Sequence, residues 1–375
     1  MRQVLLLGAG KIGRMISRFL AETRDYEVTV ADHDPVSLER LPDLPGITST
    51  VLNASDRDRL TRLMKPADLV ISALSFRFNP LIAEVAAGTS TSYFDLTEDV
   101  ETTSRVRAIA ENAGEGQIFM PQCGLAPGFI SIIAQHLADR YDQIDSLRMR
   151  VGALPQFPTD ALKYNLTWST DGLINEYCNP CDAIYDEQRI DVLPLEGLEH
   201  FSIDGVRYEA FNTSGGLGTL CDTLAGKVRE LNYKTIRYMG HRDLVSFLVN
   251  DLRLSQRRDV LKDILEHAVP VTFQDVVVTF CTVTGLRKGQ LVQTSDARKI
   301  YSRQIGDEVW SAIQVTTAAG ICAAVDLFCQ GQLPQAGFVR QEEINCEVFM
   351  ANRFGQYYQS AQDLHVQHDG FSEGE

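Results

Sequence analysis

The 375-residue sequence contains no apolar run reaching the roughly 18 residues a bilayer span needs. It shows no secretory leader either, because Met1 to Leu7 runs straight into a buried-looking strand. Neither a membrane partner nor a signal peptide is expected, and the reading is cytoplasmic. Positive charge is scarce: 35 Lys and Arg stand against 50 Asp and Glu, a formal net charge of −15. Nucleic acid and anionic membrane would both repel such a chain unless a local basic patch overcame it. Metal-ligand spacing is nearly absent. Of the eight cysteines only Cys178 and Cys181, in "CNPC", are spaced like ligands. No second CxxC or HxxxH completes a four-ligand zinc site, so no metal is expected. Others, such as Cys281 in "VVVTFCTVTG" and Cys322 in "AAGICAAVDLF", lie where a reduced thiol packs as a small hydrophobe. Internal repeats and low-complexity tracts are missing too.

The composition that remains, 44% hydrophobic and 23% charged, is that of a globular protein. The length exceeds what one core usually serves, so two domains are expected. The most informative stretch comes first. "VLLLGAGKIGRMISRFL" is an apolar strand, then Gly8-Ala9-Gly10-Lys11-Ile12-Gly13, then a helical pattern. A second strand, "YEVTVAD", ends in Asp32 about twenty residues on. In such a unit the first glycine makes a tight turn and the second admits a pyrophosphate to the backbone. The third lets helix and strand pack closely, and the helix N-terminus attracts phosphate. Asp32 accepts from ribose hydroxyls and repels a 2′-phosphate, and His33-Asp34-Pro35 bring no arginine. The expected cofactor is NAD.

Strand and helix signals then alternate through "GITSTVLNAS", "DRDRLTRLMK" (capped at Ser55 or Asp56), "ADLVISAL", "NPLIAEVAAG", "TSYFDLT" and "QIFMPQCG". That alternation gives a doubly wound parallel sheet. Ligands bind beyond the carboxyl ends of its strands, so Asn53, Ala54, Ser72, Ala73, Leu74, Asp95, Cys123 and Gly124 are expected to border the cofactor. After the helix "GLAPGFISIIAQHLADRY" the style changes. "SLRMRVGAL", "LKYNLTWST", "RYEAFNTS", "YKTIRYMGH", "DVVVTFCTVTG" and "RKIYSRQIG" have a period near two. They predict an α+β domain with a mostly antiparallel sheet, with helices such as "GLINEY" and "RRDVLKDILEHA" on one face. "DEVWSAIQVTTAAGICAAVDLFCQG" is then a long, apolar, buried helix that returns to the first domain. The expected division is 1–125 for cofactor binding, 126–309 for substrate and dimerisation, 310–360 for the returning helices, and 361–375 for a frayed acidic tail. The apolar helix and the long second domain favour a homodimer.

In order along the chain, "GAGKIG", "CGLAPGFISII", "VGALPQFPTDALKYNLTWSTDGLINEY", "TSGGLGTL", "NYKTIRYMGH" and "SAIQVTTAAGICAAVDL" resemble the saccharopine dehydrogenase family. The resemblance is strongest to the shorter branch that includes lysine 6-dehydrogenase. It implies a Rossmann domain, a substrate domain inserted before the returning helix, and NAD-linked oxidation of a C–N bond in a small amino-acid substrate. That chemistry needs a neutral amine, water for imine hydrolysis, and a cation for the substrate carboxylate.

Read as a strand, "NYKTIRYMGH" puts Tyr233, Thr235, Arg237, Met239 and His241 on one face. Arg237 is the expected carboxylate anchor, and His241 the group serving the amine or the water. Their separation in an extended strand would be ~13 Å, which suits saccharopine better than lysine unless Gly240 bends the chain. Asn175 and Glu176 are candidates to receive a substrate ammonium, and Tyr177 and Trp168 to wall the pocket. Thr213 and Ser214 precede a glycine pair that suits a second carboxylate, or a turn alone. Asp95 is a candidate to orient the nicotinamide or take a proton, or else a helix cap. Saccharopine oxidation is the leading expectation, with ε-deamination of lysine as the alternative. A reductive amine–aldehyde condensation and a non-catalytic NAD-binding module are the remaining readings.

Overall fold

The computed structural model describes residues 1–359 and 366–368. Along the first part of the chain, β1 (Arg2–Leu7), α1 (Lys11–Glu22), β2 (Tyr26–Asp32), α2 (Pro35–Glu39) and β3 (Ile47–Val51) lead to α3 (Arg57–Met64) and β4 (Leu69–Ser72). They are followed by α4 (Asn79–Thr89), β5 (Ser92–Asp95), α5 (Val100–Ala110), β6 (Ile118–Met120) and α6 (Phe129–Ala138). The middle holds β7 (Gln143–Pro155), α7 (Thr170–Cys178), β8 (Cys181–Tyr185), β9 (Gln188–Val192), β10 (Glu199–Ile203), β11 (Val206–Asn212) and α8 (Leu220–Thr223). Next come β12 (Val228–Tyr238), α9 (His241–Ser246), α10 (Arg258–Ala268), β13 (Asp275–Arg287), β14 (Gln290–Tyr301), β15 (Arg303–Ile305) and β16 (Glu308–Trp310). The chain closes with α11 (Ala312–Cys329), β17 (Gly337–Phe338), α12 (Cys346–Ala351) and β18 (Val366–His368).

Two compact units result. The first is Met1–Ile132 with Gln314–Tyr357; the second is Ile133–Ile313 with the described chain from Tyr358 on. The first unit is built on a seven-stranded sheet in the order β17-β6-β5-β4-β1-β2-β3, every pair parallel. Helices α3, α4 and α5 bury Leu60, Met64, Ile82, Ala86, Val106 and Ala110 against Leu5, Leu7, Val70, Tyr93 and Phe119 of the strands. The late helix α11 does return to this unit. Its Asp326 accepts from Tyr26 Oη at 2.7 Å, Phe328 meets Phe94, and Gln314 Nε2 donates to the Lys11 carbonyl at 3.2 Å. At 18 residues and a mean hydropathy of 1.6, α11 is long and apolar enough to span a membrane by length and composition. That corrects the expectation that no apolar run reaches this length; most of its side chains are buried in the fold.

The second unit has a mixed sheet in the order β14-β13-β7-β12-β11-β10-β18, with β8 and β9 attached to β12. Among the described residues only β7 and β12 run parallel in it; the other pairs are antiparallel. The sheet curls until its far members meet. Phe201 of β10 lies 6.0 Å from Phe280 of β13, centroid to centroid. Lys299 of β14 donates to the Ile203 carbonyl at 3.1 Å and reaches Asp204 at 3.0 Å. Inside the curl, Leu154, Ile203, Tyr208, Ala210, Ile236 and Val278 form one apolar cluster. Arg150 pairs with Glu199 there, and Lys234 also reaches Glu199 at 2.8 Å.

Three local expectations are corrected. "LKYNLTWST" is a loop, because its alternating residues Tyr164, Leu166 and Trp168 pack into the cluster formed by α7, α9 and α10 and leave no strand neighbour. "DEVW" is not helical, since β16 pairs with β15 in a hairpin before α11 begins. In the tail, β18 pairs with β10; the remainder lies outside the described residues.

The first turn of α11 is held by a group far back in sequence. Asp275, buried, accepts from the Ala312 and Ile313 amides. Burial pushes its carboxyl up to about 6 despite those donors. The folded protein thus takes up this proton more readily than the unfolded chain. Stability is expected to decline by about 3 kcal/mol as pH rises from about 4 to about 6. Asp275→Asn is expected to abolish that decline, read as urea midpoints at several pH values; an unchanged slope assigns the titration to another group.

Candidate active site

In the first unit the strand order reverses about β1, with β2 on one side and β4 on the other; ligands bind at this crevice in parallel sheets. Gly8, at φ +107°, ends β1, and a Cβ there would stand 2.8 Å from the Ala73 carbonyl oxygen. At Gly13 an added Cβ would lie 1.9 Å from the Gly8 carbonyl oxygen. Gly10 is different: it is exposed, and a Cβ on it meets nothing within 4 Å. The protein's own packing does not require glycine there, which fits a backbone kept bare for phosphates. Helix α1 starts next, with no side-chain cap and no acid in its first turn. The Lys11, Ile12 and Gly13 amides at its positive end suit an anion. These residues fit a dinucleotide, with the pyrophosphate on Gly8, Gly10 and the α1 N-terminus and the adenosine ribose near Asp32.

Asp32 is nearly buried at the end of β2. Its Oδ2 accepts from the Ala9 amide at 2.7 Å, and its Oδ1 from the Asp34 amide at 2.9 Å. The exposed His33 ring stands 3.0 Å away. The carboxylate therefore braces the glycine loop. Asn53 is exposed after β3 and its side chain accepts from the Ser55 amide at 3.0 Å; Ala54 is buried beside it. Ser72 is buried and donates to Asn79 at 2.7 Å, whereas Ala73 and Leu74 are partly open.

Asp95 is the hub of a closed network. Oδ1 accepts the Thr97 and Gln122 amides at 3.0 and 2.9 Å, and Oδ2 accepts Tyr93 Oη at 2.6 Å and Asn79 Nδ2 at 3.1 Å. Fully buried, it braces neighbouring strand ends. It neither caps a helix (Asp99 caps α5) nor has an open lone pair for a substrate proton, which corrects its candidacy for acid–base work. Cys123 is equally buried. Its thiol donates to the Met120 carbonyl and takes Gln341 Nε2 at 3.0 Å, and burial followed by the Asp95 charge pushes it well up, so it is no thiolate. Gly124 is buried beside it.

In the second unit the structure gathers Arg237, His241, Tyr177, Glu176, Asn175 and Trp168, and adds Tyr164, which sequence reasoning passed over. The ~13 Å separation expected of a straight strand does not occur. Strand β12 ends at Tyr238, Gly240 turns at φ +92°, and His241 opens α9. One phenol oxygen then links the two residues: Arg237 Nε donates to Tyr177 Oη at 3.0 Å, and Tyr177 Oη lies 3.0 Å from His241 Nε2. Another missed residue causes this. Buried Glu209 accepts the Gly240 and Arg242 amides at 2.7 and 2.6 Å, pinning the first turn of α9. Only its place in an otherwise apolar strand end hinted that it needed donors.

Arg237 is buried, with its guanidinium 4.7 Å above the Tyr164 ring. Burial opposes its charge, but the Tyr177 and Tyr164 phenols and Glu176 prevail and hold it protonated. Nη1 donates to the Ile236 carbonyl, while Nη2 makes no hydrogen bond among the described residues; its nearest carboxylate oxygen is Glu176 Oε2 at 3.9 Å. That outer edge can take a carboxylate. His241 is fully buried, with Nδ1 2.8 Å from the Leu162 carbonyl. Burial and the Arg237 charge push it down to about 3. Both nitrogens are engaged and the ring is neutral, which corrects its expected role at the amine or the water.

The remaining candidates divide. Asn175 Oδ1 accepts from Arg258 at 3.0 Å, while its Nδ2 is buried without a hydrogen bond among the described residues. Half-buried Trp168 donates to Tyr164 Oη at 3.2 Å. Thr213 and Ser214 do not offer free hydroxyls. Thr213 bonds Thr235 at 2.7 Å, and Ser214 donates to the Pro180 carbonyl at 2.9 Å.

Comparison with known proteins agrees with this architecture. Residues 4–120 match the family description "Saccharopine dehydrogenase NADP binding domain", and residues 124–352 match "Saccharopine dehydrogenase C-terminal domain". The chain is similar to saccharopine dehydrogenase [NADP(+), L-glutamate-forming] of Saccharomyces cerevisiae, 24% identical over 319 residues, covering 80% of this chain and 68% of that protein. It is 21% identical to the mitochondrial alpha-aminoadipic semialdehyde synthase of Bos taurus over 80% of this chain and 33% of that protein. The fold follows that of the apo yeast saccharopine dehydrogenase (L-Glu forming), with a TM-score of 0.77 and 18% identity over 93% of this chain and 96% of that one. With its glycine-loop sheet and its curled second sheet both matched in order, the chain belongs to the saccharopine dehydrogenase family.

Proposed function

We propose that this chain is an NAD-dependent dehydrogenase of lysine metabolism that oxidises a C–N bond of saccharopine. The observation that carries the reading is the Arg237 edge: a buried cation whose Nη2 has no hydrogen-bonded partner among the described residues and whose nearest carboxylate stands 3.9 Å off. The edge suits a substrate carboxylate, and Glu176 beside it suits the ammonium of the same amino-acid head; Asn175 does not, because its oxygen is held by Arg258 and its free Nδ2 is a donor. NAD, when bound on the α1 N-terminus, accepts the hydride; water then hydrolyses the imine. The yeast relative is named for NADP(+). The choice of NAD rests on the Asp32 carboxylate, which opposes a 2′-phosphate. The yeast relative's name favours saccharopine, while the bent β12–α9 corner removes the spacing argument against lysine. A cytoplasmic homodimer is part of the proposal.

Incubating the protein with NAD or NADP and each amino acid, and following absorbance of the reduced cofactor, tests this reading. Lysine should release ammonia, and saccharopine glutamate or lysine. Cofactor binding with no amine oxidised would favour the non-catalytic module. Arg237→Ala is expected to raise KM for the amino acid by roughly 30- to 150-fold, equivalent to the 2–3 kcal/mol of a charged hydrogen-bonded contact. An unchanged KM for every amino acid turned over removes the anchor.

A further inference from the structure

We infer that His241 is a positioning residue, acting through Tyr177 to aim the outer edge of Arg237. This inference rests on the anchor role proposed above. The direction of the hydrogen bonds carries it. The Leu162 carbonyl can only accept, so at 2.8 Å the His241 Nδ1 must carry the hydrogen. Nε2 of the neutral ring is then a lone pair, and Tyr177 Oη, 3.0 Å away, must donate to it. With its hydrogen committed, the Tyr177 oxygen presents a lone pair to Arg237 Nε, also at 3.0 Å. The chain reads in one sense only: Arg237 N–H to Tyr177, Tyr177 O–H to His241, His241 N–H to Leu162.

Every member is immobilised. His241 is 0% exposed. Phe211 stacks on its ring at 6.3 Å, and Tyr164 meets it edge-on at 5.4 Å. Glu209 fixes the backbone on either side of it. With Nε tethered to this relay and Tyr164 beneath the guanidinium, the Nη2 edge has one direction left to point. A histidine that exchanged protons with an amine or water would need an open nitrogen, and this one has none. The charged and titratable groups facing it are Arg237, Tyr164 and Tyr177, with Glu176 beyond Arg237.

The test compares His241→Gln, His241→Leu, Tyr177→Phe and the His241→Leu/Tyr177→Phe double variant. Steady-state kinetics across pH 6–10, calorimetric binding of the amino acid, and thermal unfolding are measured for each. Glutamine can place an acceptor oxygen near the Nε2 position and is expected to keep KM within about 3-fold. Leucine and Tyr177→Phe are each expected to raise KM and Kd about 10-fold, equivalent to about 1.4 kcal/mol, with turnover held within about 3-fold and the pH profile unmoved. The double variant should be no worse than Tyr177→Phe alone. Turnover that drops by about 100-fold or more in His241→Gln with KM intact, or a displaced acidic limb, overturns the inference in favour of a base. Unchanged KM in the Leu and Phe variants overturns it as well. If Arg237→Ala raises KM and the His241 and Tyr177 variants do not, only this inference fails. If Arg237→Ala leaves KM alone, or the wild-type protein neither binds nor oxidises an amino acid, the proposed function fails with it.

Discussion

Arg150→Met is expected to destabilise the protein by about 3–5 kcal/mol, the usual cost of removing one partner from a buried ion pair. Arg150 is 2% exposed inside the curled sheet. It pairs with Glu199 through Nε and, at 3.0 Å, through Nη2, and Nη1 donates to the Met149 and Asn232 carbonyls. Glu199 lies on β10 and Arg150 on β7, so the pair spans strands that are not neighbours in the sheet. Burial would raise the Glu199 carboxyl, but Arg150 first and Lys234 second bring it down to about 2. Lys234 is itself pushed down by burial and by the Arg150 charge, so Lys234→Met is expected to cost much less. With an ordinary value near 4.5, the Glu199 contribution is complete above about pH 4.5 and fades as pH falls through about 2, a span of about 3 kcal/mol. Urea unfolding of wild type, Arg150→Met and Lys234→Met between pH 3 and 7 measures this. Equal losses in the two variants would show that the pair with Arg150 is not the dominant clip.

Two alanines placed three residues apart in the glycine loop are expected to fail in opposite ways. In Gly13→Ala the new Cβ would stand 1.9 Å from the Gly8 carbonyl oxygen and 2.9 Å from its carbon. Backbone cannot yield as a flexible side chain does, so the loss should exceed the roughly 1–3 kcal/mol of ordinary overpacking. In Gly10→Ala the Cβ meets no protein atom within 4 Å, and φ −70°, ψ −168° is extended backbone open to any residue. Its melting temperature should stay within about 2 °C of wild type, while NAD affinity falls by roughly 100-fold because the pyrophosphate needs that approach. Calorimetry with NAD and a thermal melt on the same sample read both effects. Wild-type affinity in a folded Gly10→Ala protein would mean the phosphates do not rest on α1.

The first sheet was legible in the sequence because its signals are local. A strand, three glycines, a helix and a terminal acid lie within Met1 to Asp32, and each constrains its neighbour. The second unit was legible only as a class. "LKYNLTWST" alternates as a strand does, but a period of two does not say whether a hydrogen-bonding neighbour exists, and here the aromatics entered a helical cluster instead. Arg237 and His241 were singled out as candidates by residue type and the family resemblance, whereas their separation was misjudged. The corner between them depends on Gly240 and on Glu209, 31 residues upstream of Gly240. Tyr164, which supports Arg237 from below, lay hidden in the misread loop. Asp95 does end its strand, but its role was misread, since nothing in its own segment shows that Asn79 and Gln122 arrive to occupy it.

The return of α11 and β17 to the first sheet also fixes an order of events at the ribosome. The first unit cannot add its edge strand or bury that helix until all of Ile133–Ile313 has been translated. The second unit waits longer still for β18. The nascent chain therefore emerges with an unfinished parallel sheet at its front for most of its synthesis, exposing apolar surface that chaperones recognise.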